Sequence, residues 1–325
     1  MKREVIVVLG MHRSGTSAVT RGLAVLGVEL GDNLMRPNAD NPRGYWENKD
    51  IVSLNILVLE TLGIKWNSLS PVPPSRWQAP LVRELEARAA GIIRRNSQSY
   101  PRWGFKDPRT LRLLPFWVEA FQQAGISPKY LLVVRNPVSV ARSLYQRDGI
   151  APEQSYLLWS ANLVPHLAQT RGSLSCVVDY DLLMDDPVFQ LKRMAAQLAL
   201  PVNRAGTAEK MQEYAQRFLS AGLRHSRHTG EDLDHDPAAD PLTRAAYPWL
   251  ARLARDEISP FAPAFWREWS RLGEGPVIAP GADTARLRYT AKPAARLIHS
   301  PLGGHAVRVP GNAGRMTVIR RQGRF

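Results

Sequence analysis

The stretch VIVVLGMHRSGTSAV, residues 5–19, restricts the fold more than any other. A β-branched run without polar alternation marks a strand buried on both faces, as in a parallel sheet covered by helices on either side. The run passes into a loop over 10–15, and the loop opens a helix over 16–26 whose Val19, Leu23 and Leu26 mark one face. Strand, glycine turn and helix start gather backbone N–H groups and the positive end of a helix dipole around one point, which makes an anion site. Gly10 and Gly15 stand at the spacing of the Walker A pattern and Ser17 fills its last position, but Thr16 replaces the lysine. The cation inside the loop is Arg13, and Ser14, Thr16 and Ser17 add hydroxyl donors. A plainer reading of these hydroxyls is that they cap the helix, where Ser and Thr are favoured.

The rest of the chain repeats the alternation. Further strands are expected at 103–105, ending in KDPR, at 130–134, ending in RNP, and at LSCVV, ending in DYD. Between and after them, helices are expected from near Glu47 through IVSLNILVLETL, and over 79–95, 109–123, 137–146, 152–171 and 187–199. Residues 31–46, rich in Gly, Pro, Asn and Asp, read as a long loop of the kind that is often functional. This pattern predicts an α/β fold: a doubly wound parallel sheet of five or so strands flanked by helices, P-loop NTPase-like. The expected organisation is one main domain over 1–275 with a helical C-terminal part, then a basic tail over 276–325.

The net charge of +14 favours anionic partners. Much of it is local, because residues 281–325 carry nine Arg or Lys against one acid, Asp283. That tail has two aromatics, Tyr289 and Phe325, so base stacking has little support and nucleic acid is not the expected partner. The single Cys176 lies in an apolar run and reads as a strand residue. One cysteine rules out an internal disulfide and a cysteine-based zinc site, and fits a reducing compartment. No segment approaches the roughly 20 apolar residues of a membrane span. The expectation is a soluble, cytoplasmic protein.

Without the Walker lysine, the loop suits a terminal group of single negative charge better than a γ-phosphoryl group with its magnesium. GMHRSGTS resembles the 5′-phosphosulfate loop of the sulfotransferase family, whose members carry Lys or Arg at the position of Arg13. VVRNPVSVARSL resembles the family's 3′-phosphate element, an Arg at a strand end (Arg135) and a Ser eight residues later (Ser143). VVDYDLLMDDP is similar to the family's strand followed by Tyr-Glu-Asp-Leu, with Asp181 for Glu, and reads as structural. The resemblance covers about residues 4–200. It implies 3′-phosphoadenosine-5′-phosphosulfate (PAPS) as donor, 3′-phosphoadenosine-5′-phosphate as product and no metal. The donor contacts it implies are Arg13, Ser14, Gly15, Thr16, Ser17, Arg135 and Ser143.

The chemistry needs cations near the bridging oxygen and a base for the acceptor proton. GFKDPR is similar to a Lys-Asp-Pro motif of tyrosylprotein sulfotransferases, which makes Lys106 the second cation beside Arg13. GYWENKD resembles the base of those enzymes, a Glu (Glu47) with a basic residue two places on (Lys49). The rival reading of Glu47 is an acid in the first turn of a helix. His12, Asp107 and His225 are rival bases, and Arg224 with His225 is an alternative nucleotide contact. The expected acceptor is a hydroxyl of a carbohydrate or glycan, with a tyrosine or small alcohol as alternative. It would be read by loops in 31–46, 63–78 and 201–275, where Trp46, Trp66 and Trp77 are available for stacking. Two other classes stay open: an ATP-dependent kinase with Asp179 near magnesium, and a non-catalytic nucleotide- or polyanion-binding protein. The sequence does not specify an oligomeric state.

Overall fold

The computed structural model describes residues 3–38, 41, 43–202, 205–219 and 227–274. The basic tail 276–325 lies outside them, as do Arg224 and His225. Strands β1 (Glu4–Gly10), β2 (Arg102–Lys106), β3 (Lys129–Val134) and β4 (Leu174–Asp179) form a parallel sheet in the order β2-β1-β3-β4. The described residues thus hold four strands where about five were expected. Each corresponds to one of the four apolar runs in the sequence, and no other stretch of described chain pairs beyond isolated bridges.

Alternation along β1 supplies two cores at once. Val5, Val7 and Leu9 pack with Leu54 and Val58 of the helix Lys49–Thr61, Ile93 of Pro80–Ser99, Trp117 of Leu114–Ala124 and Trp159 of Pro152–Leu167. Ile6 and Val8 face the other way, onto Val19 and Leu23 of α1 (Thr16–Val25), with Leu131, Val133, Cys176 and Met194. Each large apolar side chain so buried stabilises the fold by roughly 1.5–3 kcal/mol. Burial pushes the Cys176 thiol up to about 12, which leaves it inert as a nucleophile. The C-terminal helices Pro241–Ala254 and Pro263–Glu274 complete the first core through Leu250, Phe265 and Trp269. Helix Thr207–Glu213 and the π-helix Tyr214–Phe218 complete the second through Met211 and Tyr214.

Local chemistry explains where elements depart from expectation. The helix expected over 109–123 is two pieces, Arg109–Arg112 and Leu114–Ala124, because Pro115 has no N–H to continue the first. The helix expected near Glu47 begins at Lys49, since Asn48 is its cap and accepts from Asp50 N (2.9 Å) and Ile51 N (3.4 Å). The helix expected to reach 171 ends at Leu167 and tightens into a 3₁₀ turn, Ala168–Thr170. Among the described residues no helix is long and apolar enough to cross a membrane.

The strand order places the site. From β1 the chain moves to β2 on one flank, then returns through Leu114–Ala124 to β3 on the other. Winding therefore reverses about β1, and in open sheets the crevice beyond the strand ends at such a reversal is where ligands bind. The loop 10–15 leads directly into that crevice.

Candidate active site

The loop 10–15 is built for close approach. A Cβ on Gly10 would stand 2.8 Å from the Val133 carbonyl oxygen, and one on Gly15 (φ +85°) would stand 2.0 Å from the Tyr180 ring. Gly15 is also the cap residue of α1, and no side chain caps that helix. The plainer reading of the loop hydroxyls as caps therefore fails. Ser14 Oγ is buried and finds no partner among the described residues, as expected of a donor kept for a ligand. Ser17 Oγ instead donates to the Tyr45 carbonyl (3.2 Å).

One side of the loop gathers arginines. Arg13 adopts φ +68°, and its Nε donates to Ser143 Oγ at 2.8 Å across 130 residues. Arg135, just beyond β3, donates from Nη1 to the Arg13 carbonyl (3.3 Å) and lies 4.8 Å from the Tyr180 ring centroid. Three residues named for donor contact, Arg13, Arg135 and Ser143, therefore meet. Burial, followed by the Arg147 and Arg135 charges, holds the Arg13 pKa below its ordinary value. Asp148, ion-paired with Arg147 at 2.6 Å, offsets part of this charge.

The other side is charge-paired. Lys106 ends β2 opposite Val8, and its side chain is 1% exposed. Its Nζ donates to Glu47 Oε1 at 2.7 Å and to Ser17 Oγ at 3.1 Å. Burial raises the Glu47 pKa, opposed by the Lys106 charge and assisted by Asp107. Glu47 precedes the cap Asn48, so it is not the first-turn acid of the helix; Asp50 is. Loop 31–46 is tied here by Met35 N to the Glu47 carbonyl (2.8 Å) and Lys49 N to the Asn33 carbonyl (2.8 Å). Lys49 itself is exposed.

The rival bases fare differently. Asp107 is fully buried, and both its oxygens accept from Arg109 Nη1 at 3.0 Å, which fixes the turn after β2. A buried chain continues that turn inward, from Asn55 to Thr110 Oγ1 (3.1 Å) and from Trp117 Nε1 to Asn55 (2.9 Å). His12 packs against Trp66 with ring centroids 4.4 Å apart. Burial first, then Arg109, Arg147, Lys106 and Arg13, holds its pKa well below the ordinary imidazole value. Such a neutral ring is a weak proton acceptor. His225 lies outside the described residues. Asp179, the magnesium candidate of the kinase reading, has Oδ1 engaged as a helix cap, accepting from Asp181 N (2.7 Å) and Leu182 N (3.1 Å).

Two contributors escaped sequence reasoning. Tyr180, placed there in a structural motif, covers Gly15 and carries the Arg135 guanidinium. Asn136 clamps the carbonyls of His228 (3.1 Å) and Thr229 (2.7 Å) beside Arg135. The Asn-Pro pair after a strand signalled only a helix start. Of the three tryptophans, Trp66 lies beside His12, Trp77 packs on the first core, and Trp46 stacks with Arg21.

No family model and no curated protein matches this chain. Among solved structures it is similar to the sulfotransferase STF1 from Mycobacterium tuberculosis H37Rv, at 17% identity and TM-score 0.42, covering 69% of this chain and 74% of that one. It is also similar to the sulfotransferase domain of the Synechococcus PCC 7002 olefin synthase, at 19% identity and TM-score 0.39, covering 84% of this chain and 95% of that one.

Proposed function

We propose that this protein is a sulfotransferase that moves a sulfonate group from PAPS to a hydroxyl of an acceptor, without metal. The observation that carries the reading is the Lys106 ammonium held between Ser17 of the loop (3.1 Å) and the Glu47 carboxylate (2.7 Å). The last Walker hydroxyl binds magnesium in ATP-using loops. Here an ammonium engages that hydroxyl, which suits a group of lower charge. The orphaned Ser14 hydroxyl and the side-chain-free cap at Gly15 fit a bound anion.

PAPS supplies an activated sulfonate whose departing group is an adenosine phosphate. Arg135 and Ser143, joined to Arg13, hold the 3′-phosphate end. The loop N–H groups, Ser14, Gly15, Thr16 and Ser17 orient the 5′ end. Glu47 takes the acceptor hydroxyl proton; its raised pKa makes it a stronger base than a free carboxylate. As the acceptor oxygen bonds to sulfur, the bridging S–O bond breaks and its electrons stay on the 5′-phosphate. Lys106 steadies that developing charge. The products are a sulfate ester, 3′-phosphoadenosine-5′-phosphate and the proton on Glu47.

Labelled PAPS, incubated with the protein and a panel of sugars, glycans, phenols and alcohols, is expected to label a hydroxylated acceptor in the presence of a chelator. Thermal stabilisation provides the binding test. A hundredfold excess over the dissociation constant contributes about 2.7 kcal/mol, expected with 3′-phosphoadenosine-5′-phosphate and not with ATP–magnesium. Stabilisation by ATP–magnesium alone would overturn the proposal.

A further inference from the structure

One helical turn beyond Ser17, Arg21 of α1 stacks over Trp46, 5.1 Å from its centroid. Trp46 meets Phe218 edge-on at 6.3 Å, and Arg43 stacks over Phe218 at 5.7 Å. Arg43 also donates to the Arg217 carbonyl (3.2 Å), tying the loop before Glu47 to the π-helix Tyr214–Phe218. Two features mark this row as more than surface packing. Trp46 holds φ +56°, a conformation that costs a bulky residue about 1 kcal/mol or more and gathers at ligand clamps. The π-helix is a rare turn, frequent at functional sites. Beside the row runs an open cleft of about 450 Å³, lined by Arg21, Val25, Lys210, Tyr214, Arg217 and Phe218. Its one acid, Glu213, is paired with Arg217 at 3.4 Å. Neither Arg21 nor Lys210 makes an ion pair among the described residues.

We infer that this row and cleft hold the remote part of an extended acidic glycan acceptor, whose reacting hydroxyl lies at Glu47, the residue next to Trp46. The inference rests on the sulfotransferase reading and specifies its acceptor. A guanidinium held over an aromatic ring, as Arg21 is over Trp46, can still present N–H donors to a planar carboxylate or a sulfate. Phe218 already stacks on Tyr214 (5.5 Å, 14°) and carries Arg43, so it shapes the row, while the half-buried indole of Trp46 is the surface suited to a sugar ring. The cleft is open rather than a hole that would seat a peptide side chain, which favours a glycan over an acidic peptide. Net positive lining also steers an anionic chain toward the site.

The test uses the full chain and its Arg21→Gln and Lys210→Gln variants, neither of which alters a group assigned to the donor or to the chemistry. Calorimetry measures binding of an unsulfated glucuronate-containing hexasaccharide, a neutral hexasaccharide and an acidic tyrosine peptide. Each substitution is expected to weaken the acidic hexasaccharide about tenfold, the loss of one charge-assisted hydrogen bond. The neutral sugar and 3′-phosphoadenosine-5′-phosphate are expected to bind as before. The basic tail is the same in all three proteins, so a difference between them reports the cleft. Unchanged binding of the acidic hexasaccharide in both variants overturns the inference, as does dependence on Arg21 and Lys210 shown by the peptide alone. Sulfonate transfer to acceptors indifferent to both substitutions overturns it while leaving the sulfotransferase reading intact. Variant-sensitive glycan binding without any transfer from PAPS supports the cleft and sinks that reading instead.

Discussion

The two sides of the loop 10–15 differ in kind. Arg13, Arg135 and Ser143 form a cluster of cations and a hydroxyl joined by their own hydrogen bonds, with the Arg147–Asp148 ion pair beside it. Lys106 and Glu47 form a neutral pair around Ser17, within reach of both an ammonium and a proton acceptor. Under the proposed function, binding and chemistry divide between β3 on one flank and β2 on the other, with the loop after β1 serving both.

That division is open to attack. Glu47→Gln should have the largest effect: turnover lower by about 10²–10⁴, the usual worth of a general base, with affinity for 3′-phosphoadenosine-5′-phosphate little changed by calorimetry. A variant that kept its rate would move the base elsewhere. The same residue sets a pH dependence. With the Glu47 pKa raised by burial, the rate should fall on acidification at a pH above the ordinary carboxylate range, and the Gln variant should lack that limb. The stability sign runs the other way. The folded protein holds this proton more tightly than the unfolded chain does. Its contribution is therefore greatest below the unfolded pKa and is lost as pH rises through the folded value.

Arg135→Ala should reverse the pattern, weakening the nucleotide about 10- to 100-fold through the loss of charge-assisted bonds, while turnover at saturating donor stays near normal. Equal losses of affinity from Glu47→Gln and Arg135→Ala would erase the distinction between the two sides. Gly15→Ala tests the hub they share. Its Cβ would strike Tyr180 at a strained φ, so a stability loss of about 1–3 kcal/mol, read by denaturant melting, should accompany weaker nucleotide binding. Asp179→Ala should do least, costing about 1 kcal/mol as a lost helix cap. A far larger loss of nucleotide binding in that variant would return the kinase reading.

Much of the fold was legible because it is local. Four apolar runs became four strands, and most helices stand within a few residues of their expected ranges. The errors also have local causes: Asn48 as the cap that shifts a helix start, and Pro115 as the break between two helices. The candidate site was legible as residue types, from the loop spacing and the Arg135–Ser143 pair. Its partnerships were not. Nothing in the order of residues joins Lys106 to Glu47, 59 positions away, or lays Tyr180 across Gly15. The stack of Arg21, Trp46, Phe218 and Arg43 was equally hidden, because its members come from three separate segments.

By itself, then, the sequence determined a strand, a glycine turn and a helix, repeated into a parallel α/β sheet. Hydrophobic periodicity and helix-end chemistry act between near neighbours and need no tertiary knowledge. The tertiary structure alone decided which charges would face each other. Strand order put β2 and β3 on opposite flanks of β1 and so delivered a lysine to one side of the loop and an arginine to the other. Charge pairing depends on distances in space, and those are set only when the sheet assembles.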